Sequence, residues 1–563
     1  MQDQNSSAHP TGTTKKHSRS RRILLWCLGI FLVLVIAVGV VIEVLLHRSG
    51  PILRQRMIDT LSARFDSRVQ LAHFHVYFLD GFQVRGDGLK LWPNEIPSDQ
   101  PLFAIDEFAF RTDWHGLLHS PMTIGLVRLN GLAIHLPPKQ ERKNLPKLSG
   151  GSGGGVKIFV NRILVDNAKL VLGTNKPGKI PLDFDIHNLE LQSVGAGQPM
   201  HFHAILTNPK PIGNIDSSGH FGPFDTHDPG DTPVDGIYSF THADLNSIKG
   251  IGGMLSSHGK YAGTLDNIVV DGETDTPDFD VDSGNHPMPL HTKFHAIVDG
   301  TNGDTYLQPV DAMLARTHIV AKGDVVRAPQ GGHNITLDVV VGPARMEDVL
   351  QLAVKTLPPL MMGDLKMKTK FFLPAGPDSV SQKLQLKGAF SVSNVTFAND
   401  KVQAKVDELS LRSQGHARQA KEIDKENPES IESQMSGRFE LANGKASFSA
   451  LKFNVPGADI SLQGLYNLDG KEYDFHGMAR LHAKVSRMTT GWKSVLLKPV
   501  DPFFSKDGAG TQVPIKITGT RNAPKFSLDF GHKDSDTSRA PDLTDKSKDY
   551  GIVGSVPKKT SPK

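Results

Sequence analysis

The chain has 563 residues, 22% of them charged and 38% apolar, with a formal net charge of only +4, which suits a folded protein and not a nucleic-acid binder. Its basic residues form no long stripe with interleaved aromatics. Its single cysteine, Cys27, excludes an intrachain disulfide and any zinc site built from several cysteines. Gly 54 and Pro 36 favour many short strands joined by turns over long helices.

Residues 1–22 are polar and are expected to form a disordered cytoplasmic tail. The run "ILLWCLGIFLVLVIAVGVVIEVLL" follows, from Ile23 to Leu46, with Ile23, Trp26, Leu32, Val35 and Val40 along it. About 20 apolar residues span a bilayer core, so 23–46 is expected to be a transmembrane helix. It is longer than the apolar stretch of a signal peptide, and "EVLLHRSG" offers no small-x-small cleavage site. Lys15, Lys16, Arg19, Arg21 and Arg22 precede the span and Arg48, Arg54, Arg56 and Arg64 follow it, a small excess that tilts the orientation weakly toward a cytoplasmic N-terminus, with the rest of the chain outside the cytoplasm.

"PILRQRMIDTLSARF" comes next. Leu53, Met57, Ile58, Leu61 and Phe65 form a narrow apolar stripe, so a short helix is expected, either lying on the membrane surface or plugging the end of a following sheet, the narrow stripe favouring the plug. From Val69 the signal is alternation: "VQLAHFHVYF", "GFQVRGDGLKLW", "FAIDEFAFRTDW", "IGLVRLNGLAIHL" and "VKIFVNRILVDNAKLVLG" are short period-two runs ending at Gly, Asn or Asp. That pattern predicts half-buried antiparallel strands with tight turns. The Gly/Ser stretch at 149–155 reads as a linker between a helix and β segment at 51–148 and a larger β body at 156–530. Asn443-Gly444 and Asp469-Gly470 are strong hairpin signals.

Two helices are expected within the β body. "PARMEDVLQLAVKTLPP" has Glu347 and Asp348 in its first turn and Met346, Val349, Leu350, Ala353 and Leu357 on one face. "VSRMTTGWKSVLLKPV" places Met488, Trp492, Val495 and Leu496 together. Both are expected to cover a sheet. The stretch from Gln414 to Gln434 reads as a charged solvent loop, and 531–563 as a disordered tail.

One phrase occurs twice. "IVVDGETDTPDFDVD" from Ile268 and "IKITGTRNAPKFSLDF" from Ile515 share I-x-[VI]-x-G-x4-P-x-F-x-[VL]-D. Each is expected to be a hairpin: Gly272 or Gly519 ends a strand, four residues turn, and Pro277 or Pro524 opens the return strand. Phe279 and Val281, like Phe526 and Leu528, would then share an apolar face.

The anchor followed by "LRQRMIDTLSARFDSRVQLAHFHV…GLKL" carries a family resemblance. So do "AILTNPKPIGNIDSSGHFGPF…TPVDGIYSFTHADL", "FHAIVDGTNGDTYLQPVDAMLARTHIVAKGDV" and "KSVLLKPVDPFF…VPIKITGTRNAPKFSLDF". As an ordered set, spanning Arg22 to Phe530, they resemble the AsmA-like family of bacterial envelope proteins, relatives of the bridge-like lipid-transfer (TamB-like) group. The resemblance implies an inner-membrane anchor, a β-rich periplasmic body and a role in outer-membrane lipid homeostasis. It implies no catalytic residues and no cofactor. The expected fold is mainly β, a long antiparallel groove-like body with a few covering helices. Phe279, Val281, Phe526 and Leu528 are its candidate groove residues. The expected partners are the inner membrane, acyl chains of phospholipid or lipopolysaccharide, and envelope proteins, with no nucleic acid. The alternative is a non-enzymatic scaffold or regulator of outer-membrane protein assembly.

Other motifs carry less. His73 with His75, and His201 with His203, are i, i+2 pairs on strands, but no third metal ligand follows from spacing. Asp278, Asp280 and Asp282 suggest a calcium loop until Ser283 and Pro289 occupy the positions that need Gly and Glu. "GSGGG" lacks the Lys-Ser/Thr of a phosphate loop.

Overall fold

The computed structural model of the chain describes residues 54–529, apart from 60, 64–65, 78–81, 95–99, 114–121, 138–157, 174–180, 196–197, 224, 226–228, 283, 285, 301–302, 330, 356, 424–430, 468–471, 489–510 and 521–522. The expected transmembrane run, the Gly/Ser linker, Trp492, Val495 and Leu496 of the second expected helix, and the C-terminal tail lie outside these residues. Among the described residues no helix is long and apolar enough to cross a membrane.

Among the described residues the fold is mainly β, with 25 strands and few helices. Backbone contacts divide the chain into two units, one from Met1–Val165 and Val171–Pro181, the other from Asp166–Leu170 and Leu182–Lys563.

In the first unit, β3 (Phe82–Pro93) pairs antiparallel with both β1 (Ser67–Gln70) and β2 (His73–Tyr77). It then pairs with β4 (Phe103–Thr112), which pairs with β5 (Met122–Leu136). Register places Phe74, Gly86, Phe108 and Leu129 in one line on one face, and Val69, Leu91, Phe103 and Ile134 in another. Helical residues at 54–59 and 61–63 precede the sheet. Arg54 Nε donates to the carbonyl of buried Leu71 at 2.9 Å, which ties this helix to the start of the sheet.

The second unit is an antiparallel meander. β7 (Leu182–Gly195), β8 (Met200–Pro209), β9 (Ile212–Phe221), β10 (Pro233–Asp244) and β12 (Met254–Thr264) pair in sequence. β13 (Asn267–Val281) follows, also joined by the short β11 (Ile251–Gly252). Then come β14 (Met288–Val298), β15 (Thr305–Leu314), β16 (Thr317–Arg327), β17 (His333–Arg345) and β18 (Met361–Leu373). The last are β19 (Gln385–Phe397), β20 (Gln434–Ala442), β21 (Lys445–Val455), β22 (Ala458–Asn467), β23 (Glu472–Leu481), β24 (Thr511–Thr520) and β25 (Ala523–Leu528). β6 (Ile158–Leu172) is divided between the two units.

One rim of the meander carries tight turns. Asn443 and Gly444 join β20 to β21 with φ of 51° and 69°, the left-handed pair that a two-residue hairpin needs. The other rim carries the helices. α1 (Met346–Ala353) fills the β17–β18 connection, with Met346 and Val349 against Val341, Ala344, Leu365, Val392 and Val395. It ends at Ala353, so Leu357, expected on its apolar face, lies beyond it and is exposed. α2 (Val380–Lys383), a single turn before β19, lies in the β18–β19 connection, at the rim of the tight turns.

α3 (Asp400–Ser413) was not expected from the sequence. Asn399 caps it by accepting from the Val402 amide, and Val406 and Leu409 pack on Val455, Ala458, Ala479 and Leu481. The two clusters beneath α1 and α3 are where this sheet acquires a buried core.

Candidate functional site

Residues directly opposite each other on paired strands point to the same side of a sheet. Following those partners strand by strand traces which side chains share a face. One line runs Leu189, Ala204, Ser217, Tyr238, Gly259, Gly272, Phe294, Val310 and Ala321. It continues Val339, Thr369, Gly388, Phe439, Phe448, Gly464, Phe475 and Ile517. No member is charged. At about 4.8 Å per strand the line is roughly 80 Å long.

Neighbouring lines match it. Leu307, Gly323, Leu337, Phe371, Leu386, Leu441, Ala446, Tyr466, Tyr473 and Gly519 form one. Ile319, Val341, Met367, Phe390, Gly437, Leu451, Leu462, Gly477, Ile515 and Leu528 form another. Phe294, Val310, Val339, Phe439, Phe448 and Ile517 are half-buried. Among the described residues, the helices that pack on this apolar face are α1 and α3, at one rim.

The face is less purely apolar over β9–β14. Tyr238 and Tyr261 lie on it, and burial pushes both phenols above their ordinary value. Their hydroxyls meet Ser257 Oγ at 3.1 Å and Ser217 Oγ at 2.9 Å, and Thr274 meets Thr292 at 2.6 Å. Each hydroxyl finds another within the face, so this band presents aromatic and methyl surface without orphaned polar groups.

The two copies of the repeated phrase fold differently. "IKITGTRNAPKFSLDF" is the expected hairpin: Gly519 has φ of 98°, Ile517 faces Phe526 and Ile515 faces Leu528. "IVVDGETDTPDFDVD" is not a hairpin. Gly272 sits mid-strand in β13, which continues to Val281 and bulges between Thr276 and Phe279. Gly272 is held extended by pairing with β12 and β14, Tyr238 and Phe294 occupy the space a side chain would take, and Pro277 is accommodated in the bulge, where no ladder amide is needed.

The four candidate groove residues therefore separate. Leu528 terminates one of the long apolar lines on the last strand, where it is 52% exposed, and the Phe526 backbone is in register with Ile517. Phe279 faces buried Met288, and Val281 faces Ile251 of β11, so both lie at the helix-bearing rim, half-buried. The central residues of the lines, Phe294, Val310, Val339, Phe439 and Phe448, were not singled out from the sequence. Local alternation marks each as inward, but only register shows that they align.

The opposite face is polar and ion-paired. His295 Nδ1 meets Asp271 Oδ1 at 2.7 Å, Lys293 Nζ meets Glu273 Oε1 at 2.8 Å, and His318 Nε2 meets Asp311 Oδ1 at 2.7 Å. These hydrogen bonds hold Asp271 and Glu273 below the usual carboxylate range. A concavity in this region is lined by Asp271, Glu273, Lys293, His295 and Asp311 together with Tyr238, Gly259, Gly272 and Phe294 of the first apolar line. The histidine pairs from the sequence are also engaged across strands: His73 with Asp87 at 2.8 Å, His203 with Asp216 at 2.9 Å, and the His201 ring 4.0 Å from that of His220. Among the described residues no three His, Cys, Asp or Glu side chains converge as metal ligands would. Asp278 accepts from the Met254 amide at 2.7 Å.

No family model, curated protein or solved structure matches the chain.

Proposed function

We propose that this chain is an inner-membrane-anchored envelope protein of the AsmA-like type, whose periplasmic β body shelters lipid acyl chains and so supports lipid transport and outer-membrane biogenesis. The observation that carries this reading is the set of apolar lines crossing the second unit from β7 to β25, half-buried and overlaid by helices at one rim. Taking a lipid tail from a bilayer into water costs about 0.8 kcal/mol per CH₂. An apolar face that accepts the tail removes most of that cost, while the headgroup stays in water. Successive lines are chemically alike, so displacement along the face is nearly level in free energy. No catalytic group and no cofactor is needed for this passive role.

The scaffold reading draws on a different feature. β25 pairs only with β24 among the described residues, and its free edge could add a strand from an envelope protein.

A photo-reactive amino acid at 294, 310 or 339, introduced into the full-length chain in cells, tests the proposal. Lipid adducts from these positions and none from exposed Lys366 or Lys370 on the other face are expected. A folded chain that gives protein adducts but no lipid adducts from all three would reverse the preference in favour of the scaffold.

A further inference from the structure

The polar face changes character along the meander. On β9–β15 it carries Asp216, Asp235, Asp271, Glu273 and Asp311, interleaved with histidines. On β18–β21 it turns basic. Lys366, Lys368 and Lys370 are alternate residues of one strand, about 7 Å apart, and all are exposed.

Register arranges the neighbours of these lysines around a low floor. Lys368 faces Ala389, which faces Arg438. Lys366 faces Ser391, then Ser436, then Lys452. Lys370 faces Lys387. The floor is Ala389, Ser391 and Ser436, all short and half-buried, and long cationic side chains stand on each side of it. Strands lie about 4.8 Å apart, so the Lys368 and Arg438 backbones are about 10 Å apart and those of Lys366 and Lys452 about 14 Å. Side chains of that length can converge over the floor from both sides.

Three acids stand beside these six cations. Glu440 meets Lys387 at 3.3 Å, Asp338 faces Lys370 on the far side, and Asp364 is held by Arg345 and Asn394.

We propose that this basin binds a phosphate-bearing anion. Arg438 supplies the planar fork that matches phosphate oxygens, the lysines supply point charges, and the Ser391 and Ser436 hydroxyls supply short-range donors. The same chemistry suits a free polyphosphate or the phosphate of a lipid headgroup. No aromatic side chain stands among these residues to stack a base, which disfavours single-stranded nucleic acid. The basin is on the face opposite the apolar lines, so it stands or falls independently of acyl-chain binding.

Calorimetry on the full-length chain in neutral detergent tests this, with three probes: inorganic pyrophosphate, dihexanoyl phosphatidylglycerol and dihexanoyl phosphatidylcholine. Pyrophosphate or phosphatidylglycerol should bind, and affinity should fall at least about tenfold in the double variant Lys368→Gln with Arg438→Gln. Lys516→Gln with Lys525→Gln, on the polar side of β24 and β25, should leave it unchanged and thereby control for net charge. Binding of pyrophosphate alone identifies a free phosphate ligand, and binding of both identifies a headgroup. The proposal is overturned if both double variants lose affinity equally, if phosphatidylcholine binds as well as phosphatidylglycerol, or if an oligonucleotide binds more tightly than either phosphate probe. Unchanged melting of Lys368→Gln with Arg438→Gln separates loss of the site from loss of the fold.

Discussion

Phe294 lies directly over Gly272 on the neighbouring strand, and a methyl group at 272 would come 2.7 Å from the ring's Cζ and 2.6 Å from the Tyr238 hydroxyl. Both rings can swing, so Gly272→Ala should displace them at a cost of about 1–2 kcal/mol. Gly219 differs, because its methyl would meet the Asp235 backbone carbonyl. Backbone in a sheet cannot step aside, so Gly219→Ala should lower the melting temperature more than Gly272→Ala. The reverse order would mean that the rings, and not the ladder, are the rigid part of this region.

Asp348 anchors the first turn of α1 to the rim. It is 3% exposed and accepts from Arg316 Nη2 at 2.8 Å, the Arg316 amide at 3.2 Å and Thr317 Oγ1 at 3.0 Å. Asp348→Ala strands these donors and should cost about 2–3 kcal/mol. Arg316 is largely exposed, so Arg316→Ala should cost less than about 1 kcal/mol despite removing the same ion pair. Equal effects in chemical denaturation would show that the charge pair, and not the buried carboxylate's hydrogen bonds, holds the helix.

The strands and the Asn443-Gly444 turn were legible because their signals are local: alternation in "FAIDEFAF" and two left-handed residues at a hairpin tip. The alignment of apolar side chains was less legible because bulges shift the alternation. Leu307 and Val310 are three apart yet share a face, as do Val341 and Ala344. A reader counting by twos loses phase at each bulge. The repeated phrase misled for a related reason. Gly-x4-Pro fits a hairpin, but at Gly272 the chain is held extended by pairing with β12 and β14, and the glycine there makes room for the Tyr238 and Phe294 rings. α3 did have a local signal, Asn399 before Val402, Val406 and Leu409, but its acids and lysines leave it without a strong apolar stripe.

The acid limb of stability should respond to His295. Its hydrogen bond to Asp271 lowers that carboxylate's pKa from the ordinary 3.8. A lowered carboxylate pKa gives stability that is present above the unfolded value and is lost as pH falls through the folded one. His295→Ala should therefore lower stability slightly near pH 7 and move acid unfolding to slightly higher pH, and its effect should vanish once pH is below both the folded and unfolded values of the carboxylate. Both groups face solvent, so the shift should shrink in 1 M salt, where the screening length is about 3 Å. An identical acid midpoint for the variant at low salt would show that this pair is not coupled to folding.

If acyl chains lie on the apolar lines, a charge in mid-line should expel them without disturbing the ladder. Val310 is half-buried between Phe294 and Ala321 and touches neither helical cluster. Val310→Glu should leave β content intact. It should also cut the lipid recovered with the full-length chain at least about tenfold, since a carboxylate among acyl chains costs more than the roughly 1.4 kcal/mol that a factor of ten represents. Leu528→Glu, on the exposed last strand, should act more weakly because lipid can pass the line without reaching its end. Lys525→Glu in the same hairpin points to the polar side and should have no effect. Mass spectrometry of lipids recovered with each variant checks the order. Full recovery with Val310→Glu in a chain that melts like the parent would remove acyl chains from this face.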